Sequence, residues 1–307
     1  MKLARTLLAA TAAACLLAPL AAAPAFAQAA PAAEAPAVRT IDRGRFTVEV
    51  SGQGPDVILI PGLISSRTVW DEVMDDLSGY RVHRVQIAGF AGLPAGPNAQ
   101  GEVVAPVTAE LARYIEDEKL EKPAVIGHSM GGLWGLLLAQ ARPELVGRLM
   151  IVDAAPFIGA MGNPSMTVEQ ARPMAERFRD MVTGMDDKAF AAGQQGTAAS
   201  MVRTEARRPL MVDWSLKSDR GVMARAVHDV MTTDARPGLP AMATPVTVLY
   251  AWDQAMGVPP ERMDAIYGDL YAPLPGVKLV RVDQAFHFLM WDQPERFAAE
   301  VKAFVKD

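Results

Sequence analysis

One pentapeptide in the 307-residue chain has the spacing of a nucleophile: Gly127-His128-Ser129-Met130-Gly131. A serine hydroxyl is a weak nucleophile at neutral pH and needs a base beside it and open access to a carbonyl. A sharp turn from strand to helix provides that access but crowds the backbone. Glycines two positions either side of the serine remove the side chains that would clash. The helix that follows aims its first amides at developing negative charge. Chance supplies such a motif roughly 0.05 times in a chain of this composition, so Ser129 is the expected nucleophile. Four histidines, His83, His128, His228 and His287, are too scattered for a metal cluster but supply a general base.

The elements around the motif are those such a turn requires. Residues 124–126 form a short apolar run before it, and residues 130–141 form an apolar segment of helical length after it. Residues 57–60, 82–87, 149–152, 246–250 and 277–282 read as further strands. The continuous apolar runs among them suit strands buried on both faces. Helical spacing is visible over residues 68–77, 107–120, 260–270 and 294–305. Strands alternating with helices imply a parallel sheet with helices on both faces. The alternation breaks between residues 155 and 240, where mainly helical segments occur. Thr167 and Gln170 are spaced as a capping box there, and Ser218 is placed to cap a later helix.

With these elements in place the sequence resembles the α/β-hydrolase family over about residues 40–306, and the resemblance rests on four places. The elbow Gly-His-Ser-Met-Gly-Gly at 127–132 is the first. Pro61-Gly62-Leu63 after an early strand is the second. The resemblance implies that the backbone amides of Leu63 and Met130 form the oxyanion hole. The family orders its triad Ser, Asp or Glu, His along the chain. Asp253, just after the strand at 246–250, is the best match to the acid. Asp153, at the end of the preceding strand, is the alternative that some members use. His287, after the last strand, matches the base, although Phe286 stands where relatives often have Gly. The implied fold is α/β, a mostly parallel central sheet flanked by helices. The expected core spans 40–154 and 241–307, with an inserted helical cap at 155–240.

Ten of the 17 methionines fall between Met161 and Met242. Flexible, polarisable side chains of this kind suit an adaptable apolar pocket, and equally suit gap filling between small helices. Phe157 and Trp252 are candidate substrate-binding residues, with Trp214, Phe178 and Met256 as further candidates for the lining. The loop Gly89-Phe90-Ala91-Gly92 is expected over a strand end near the site. The implied activity is hydrolysis of carboxylic esters of small to medium apolar acyl groups through an acyl-enzyme, with no metal and no cofactor. An amidase, a peptidase resembling proline iminopeptidases or a lactonase would use the same triad. An inactive binding protein on the same fold is the alternative from outside enzymology.

Composition sets the limits. A net charge of −5 without basic runs argues against nucleic acid as a partner, and a small-molecule ester is the expected one. Cys15 is the single cysteine, so no disulfide framework forms. Lys2 and Arg5, an Ala- and Leu-rich run and Ala25-Phe26-Ala27 read as a signal peptide (1–27) cleaved after Ala27. A flexible leader follows (28–39). The expected destination is the periplasm or the exterior, with no stable membrane anchor after cleavage.

Overall fold

A computed structural model describes residues 38–306. The expected signal peptide and most of the leader lie outside the described residues. Strands β1 (Arg39–Asp42), β2 (Phe46–Ser51), β3 (Asp56–Ile60), β4 (Arg81–Ile87), β5 (Ala124–His128), β6 (Arg148–Val152), β7 (Val246–Trp252) and β8 (Lys278–Asp283) form one sheet in the order β1-β2-β4-β3-β5-β6-β7-β8. β1 and β2 pair antiparallel, β2 pairs antiparallel with β4, and all other neighbours are parallel. β3, β5 and β6 are almost wholly buried, as their unbroken apolar runs require, whereas β2 alternates buried and half-buried residues. β1 was not expected: its polar sequence, RTID, carries no strand signal, and pairing with β2 alone orders it.

Helices α1 (Val104–Asp117), α2 (Met130–Ala141), α7 (Pro260–Tyr271) and α9 (Pro294–Lys306) accompany the sheet, together with the single turn α8 (Leu289–Asp292). Residues 68–77, expected as a helix, fall in 3₁₀ turns instead, Arg67–Val73 and Asp75–Leu77. Val69, Trp70, Val73 and Leu77 are nonetheless buried, so the apolar spacing was read correctly and the hydrogen-bond period was not. Between β6 and β7 run α3 (Val168–Gly184), α4 (Asp187–Met201), α5 (Arg208–Lys217) and α6 (Arg220–Thr232). The Thr167–Gln170 capping box starts α3. Asp219, rather than Ser218, caps α6; Ser218 Oγ instead accepts from Ala91 N and donates to Trp214 O.

The chain crosses from β3 to β4 on one side and returns to β5 on the other. The carboxyl ends of β3 and β5 therefore flank the crevice where such sheets bind ligands. The inserted helices are tied to the sheet domain beside this crevice. Asp219 N donates to Gly89 O at 2.8 Å, and a side chain on Gly89 would strike Val222 of α6. The loop at 89–92 is thus a seat for α6 rather than a wall of the cavity described below. The first turn of α1 has no cap of its own. Asp229 on α6 supplies one, accepting from Val103 N at 2.6 Å and Val104 N at 3.2 Å. A carboxylate there satisfies orphan amides and complements the helix dipole. Asp229→Ala should cost about 1–2 kcal/mol, read in a thermal melt as a fall of roughly 2–8 °C; an unchanged melt would remove Asp229 as the cap.

Candidate active site

Ser129 adopts φ 54° and ψ −121°, a conformation that L-residues avoid. Its N–H donates to Val152 O at 2.8 Å, and its carbonyl accepts from Gly132 N (2.8 Å) and Leu133 N (3.2 Å). The turn is therefore bonded to β6 on one side and to α2 on the other. A side chain at Gly127 would fall on the Gly131 carbonyl, and one at Gly131 on the Ile60 carbonyl. Serine at the start of a helix normally folds its hydroxyl back onto the first turn. Ser129 does not, so its Oγ stays available at the mouth of the crevice.

His287 lines the same cavity as Ser129. Its Nδ1 donates to Asp153 Oδ2 at 2.7 Å. A neutral imidazole bonded in this way keeps a lone pair on Nε2, the arrangement a general base needs. Asp153 sits just beyond β6 with φ 50°. Its N–H donates to Leu249 O, and its Oδ1 accepts from Ala251 N at 2.9 Å and from the Tyr267 hydroxyl at 3.1 Å. Burial by itself would raise this carboxyl, but the hydrogen bond and charge of His287, with the Ala251 amide, hold it below the ordinary carboxylate range.

This geometry corrects the expected acid. Asp253 does not bond to His287. Its Oδ1 accepts from Ala255 N and caps a 3₁₀ turn, and its Oδ2 accepts from Arg203 Nε at 2.9 Å. The guanidinium, brought in by the insertion, occupies the oxygen an imidazole would need. Asp153 is held by an amide and a phenol instead, which orient it without taking Oδ2. The strand order places β6 beside β5, one strand nearer to Ser129 than β7.

The loop carrying His287 is fixed by His128, for which a packing or backbone hydrogen-bonding role was expected, and by Asp292, whose part was not foreseen. His128, directly before the nucleophile, is buried and donates from Nε2 to the carbonyl of His287 at 2.9 Å, with the two rings 4.6 Å apart. Burial, with repulsion from His287, pushes His128 down to about 3, so it stays neutral. The carboxylate of Asp292 accepts from Phe286 N (2.9 Å), Arg203 N (3.1 Å) and Thr204 N (2.8 Å). It thereby ties the histidine loop to the segment between α4 and α5, and holds the backbone of Phe286. Its sequence signal is only a carboxylate five residues after His287, just ahead of α9. Of the remaining histidines, His83 lies buried in β4 against Tyr114 and Asp56, and His228 lies on α6 beside Asp229.

Leu63 and Met130 both line the cavity beside Ser129. Leu63 follows β3, Met130 opens α2, and neither backbone N–H is taken by another group of the described residues. The cavity, about 370 Å³, extends from Ser129 under α3 to α6. Six methionines of the insertion wall it: Met181, Met185, Met201, Met211, Met223 and Met231. Phe178, Phe190, Val182 and Val227 add to the apolar surface, and among the described residues no Lys, Arg, Asp or Glu lines it. Ile158, Met181 and Met201 are partly exposed and form an apolar rim. Phe157 and Trp252 are not in this wall, which corrects a second expectation. Phe157 is buried under the Arg236 guanidinium, 4.8 Å from its ring. Trp252 donates from Nε1 to Val258 O and lies beneath Arg281. Phe178, the neighbouring candidate, does reach the cavity.

The family model for the alpha/beta hydrolase family matches residues 57–300. The chain belongs to that family. The pimeloyl-[acyl-carrier protein] methyl ester esterase of Vibrio atlanticus is 24% identical to this hydrolase over 271 residues, covering 84% of this chain and 96% of that one. Among solved structures, a bromoperoxidase from Bacillus anthracis superposes with a TM-score of 0.72 at 18% identity, covering 88% of this hydrolase and all of that chain. An esterase from Exiguobacterium antarcticum gives 0.70 at 20% identity, covering 85% and 96%.

The buried neutral state of His128 makes this hydrolase sensitive to acid. Its folded value lies below the 6.5 of an unfolded histidine, so between about pH 6.5 and 3 the unfolded chain binds a proton that the folded chain refuses. Stability is full above that range and falls with pH by about 1.4 kcal/mol per unit. His83, also lowered by burial, acts in the same direction. Urea titrations between pH 7 and 4 should show His128→Gln with a slope shallower by about one proton; an unaltered slope would mean that His128 is protonated in the fold.

Proposed function

We propose that this chain is a serine hydrolase of neutral carboxylic esters whose acyl group is apolar and of medium length. Ser129 is the nucleophile, His287 the base, Asp153 the residue that orients it, and the amides of Leu63 and Met130 the oxyanion donors. The observation that carries the reading is the His287–Asp153 hydrogen bond at the edge of an uncharged cavity onto which Ser129 opens. As Ser129 Oγ attacks the ester carbonyl, its proton passes to His287 Nε2. Asp153 stabilises the resulting imidazolium. The carbonyl oxygen gains negative charge and is held by the two amides, each typically worth 10²–10³ in rate. Collapse breaks the bond to the alcohol, which leaves with the proton from His287. Water then attacks the acyl-enzyme, again giving its proton to His287, and the carboxylic acid is released with Ser129 regenerated.

Two further observations support this substrate class. The relatives named above include two esterases. A peptidase acting on a free amino terminus would need a carboxylate facing the substrate. The acidic residues Glu169, Glu176, Asp180, Asp186 and Asp187 are all exposed, and none lines the cavity. A cavity of about 370 Å³ has room for an acyl chain of medium length.

On p-nitrophenyl esters from acetate to dodecanoate, kcat/KM should peak at medium length. Ser129→Ala should abolish turnover, with kcat falling by about 10⁵–10⁶, together with labelling by a fluorophosphonate. Turnover retained in Ser129→Ala, or a preference for aminoacyl anilides, would overturn the proposal.

A further inference from the structure

The wall of the cavity carries one polar group that the chemistry above leaves unused. Gln194 lies on α4, is only 7% exposed and lines the cavity. Its Oε1 accepts from Ser215 Oγ at 2.6 Å, across to α5. Ser215 is itself buried. The amide is thus pinned at one end, and its Nε2 has no hydrogen-bond partner among the described residues. The other side-chain donors of the cavity are already engaged. The Ser65 hydroxyl donates to Leu63 O, the Thr197 hydroxyl to Gly193 O, and His128 Nε2 to the His287 carbonyl. Ser129 and His287 belong to the catalytic pair. The Gln194 amide is therefore the one side-chain donor of the cavity, among the described residues, that neither serves the catalytic pair nor has a partner.

Nε2 is not among the fully buried unpartnered atoms, so it opens onto the cavity, and an acyl chain that fills the cavity displaces solvent from it and leaves a costly unmet donor unless the chain brings an acceptor. Leucine or methionine would fill the same space among the neighbouring methionines without that cost. The cost disappears when a ligand supplies the acceptor. With no cation of the described residues in the wall, the acceptor has to be neutral, since a carboxylate would be buried without a counter-charge.

We infer that the substrate's acyl chain carries a neutral oxygen acceptor, an oxo group or equivalent carbonyl away from the scissile ester, and that Gln194 Nε2 donates to it. This rests on the ester-hydrolase reading for the identity of the chain and deepens it. Gln194 becomes the residue that sets specificity: it selects oxygenated over plain acyl chains and holds them in one register relative to Ser129. Thr197, one turn along α4 on the same face, has oxygen lone pairs that remain free to accept from a hydroxylated variant.

Titration calorimetry on the Ser129→Ala chain tests this without turnover. The probes are methyl decanoate and a set of methyl oxodecanoates with the oxo group moved along the chain. At least one oxo position should bind roughly tenfold or more tightly than the plain ester. Adding Gln194→Leu should bring that ratio close to one. A glutamine that only braces α4 against α5 would shift both affinities together and leave the ratio unchanged, which would overturn the inference, as would an absence of preference at every position. Assaying the unaltered chain on the same esters separates the two readings. Preference in binding without turnover would support the role of Gln194 and overturn the ester-hydrolase proposal. Turnover without preference would do the reverse.

Discussion

Everything at this site depends on the backbone of one residue. Ser129 holds a left-handed conformation in a turn closed by Val152 O on one side and by the first amides of α2 on the other. A conformation of this kind costs of order 1–3 kcal/mol and persists only where the surroundings over-determine it. Here Gly127 and Gly131 allow β5, α2 and β3 to approach so closely that no side chain fits between them. The result is a hydroxyl lifted off its own helix, between two free amides and the histidine loop. Relaxing the turn would return Oγ to capping α2 and take the hydroxyl out of the crevice without altering a single side chain.

The histidine is positioned by a different principle, the placing of buried polar groups against backbone. His128 and Asp292 are assigned no step of the proposed reaction, yet between them they hold the carbonyl of His287 and the amide of Phe286. Asp292 also binds the amides of Arg203 and Thr204, and Phe288 N donates to Met201 O at 3.3 Å. The His287 loop is consequently hydrogen-bonded to the inserted segment as well as to the sheet. The same stretch of the insertion sends Arg203 to Asp253. One segment thus steadies the catalytic loop and removes one of two candidate acids from contention.

That arrangement explains what could be read in the sequence. The unbroken apolar runs of β3, β5 and β6 announce strands buried on both faces, and the Gly-x-Ser-x-Gly turn is local, so the sheet and Ser129 were legible. His287 was legible because it follows the last strand. The acid was not. Asp153 and Asp253 each follow an apolar strand of the same sheet, and the choice between them depends on Arg203, 50 residues from one and 50 from the other. The lining was half legible: a methionine-rich insertion suited an apolar cavity and gap filling alike, and whether Phe157 or Phe178 faces the cavity depends on the path of the loop after β6 and on how α3 is rolled. Periodicity alone could not assign that here.

The most direct measurement compares Asp153→Asn with Asp253→Asn on one medium-chain p-nitrophenyl ester. The hydrogen bond from His287 to Asp153 requires that Asp153→Asn lower kcat by about 10⁴-fold, as expected when a triad acid no longer enforces the imidazole tautomer. Asp253→Asn should change kcat by no more than about threefold, because Asp253 only binds Arg203 and caps a turn. The reverse order of effects would contradict the assignment of Asp153 and make Asp253 the acid.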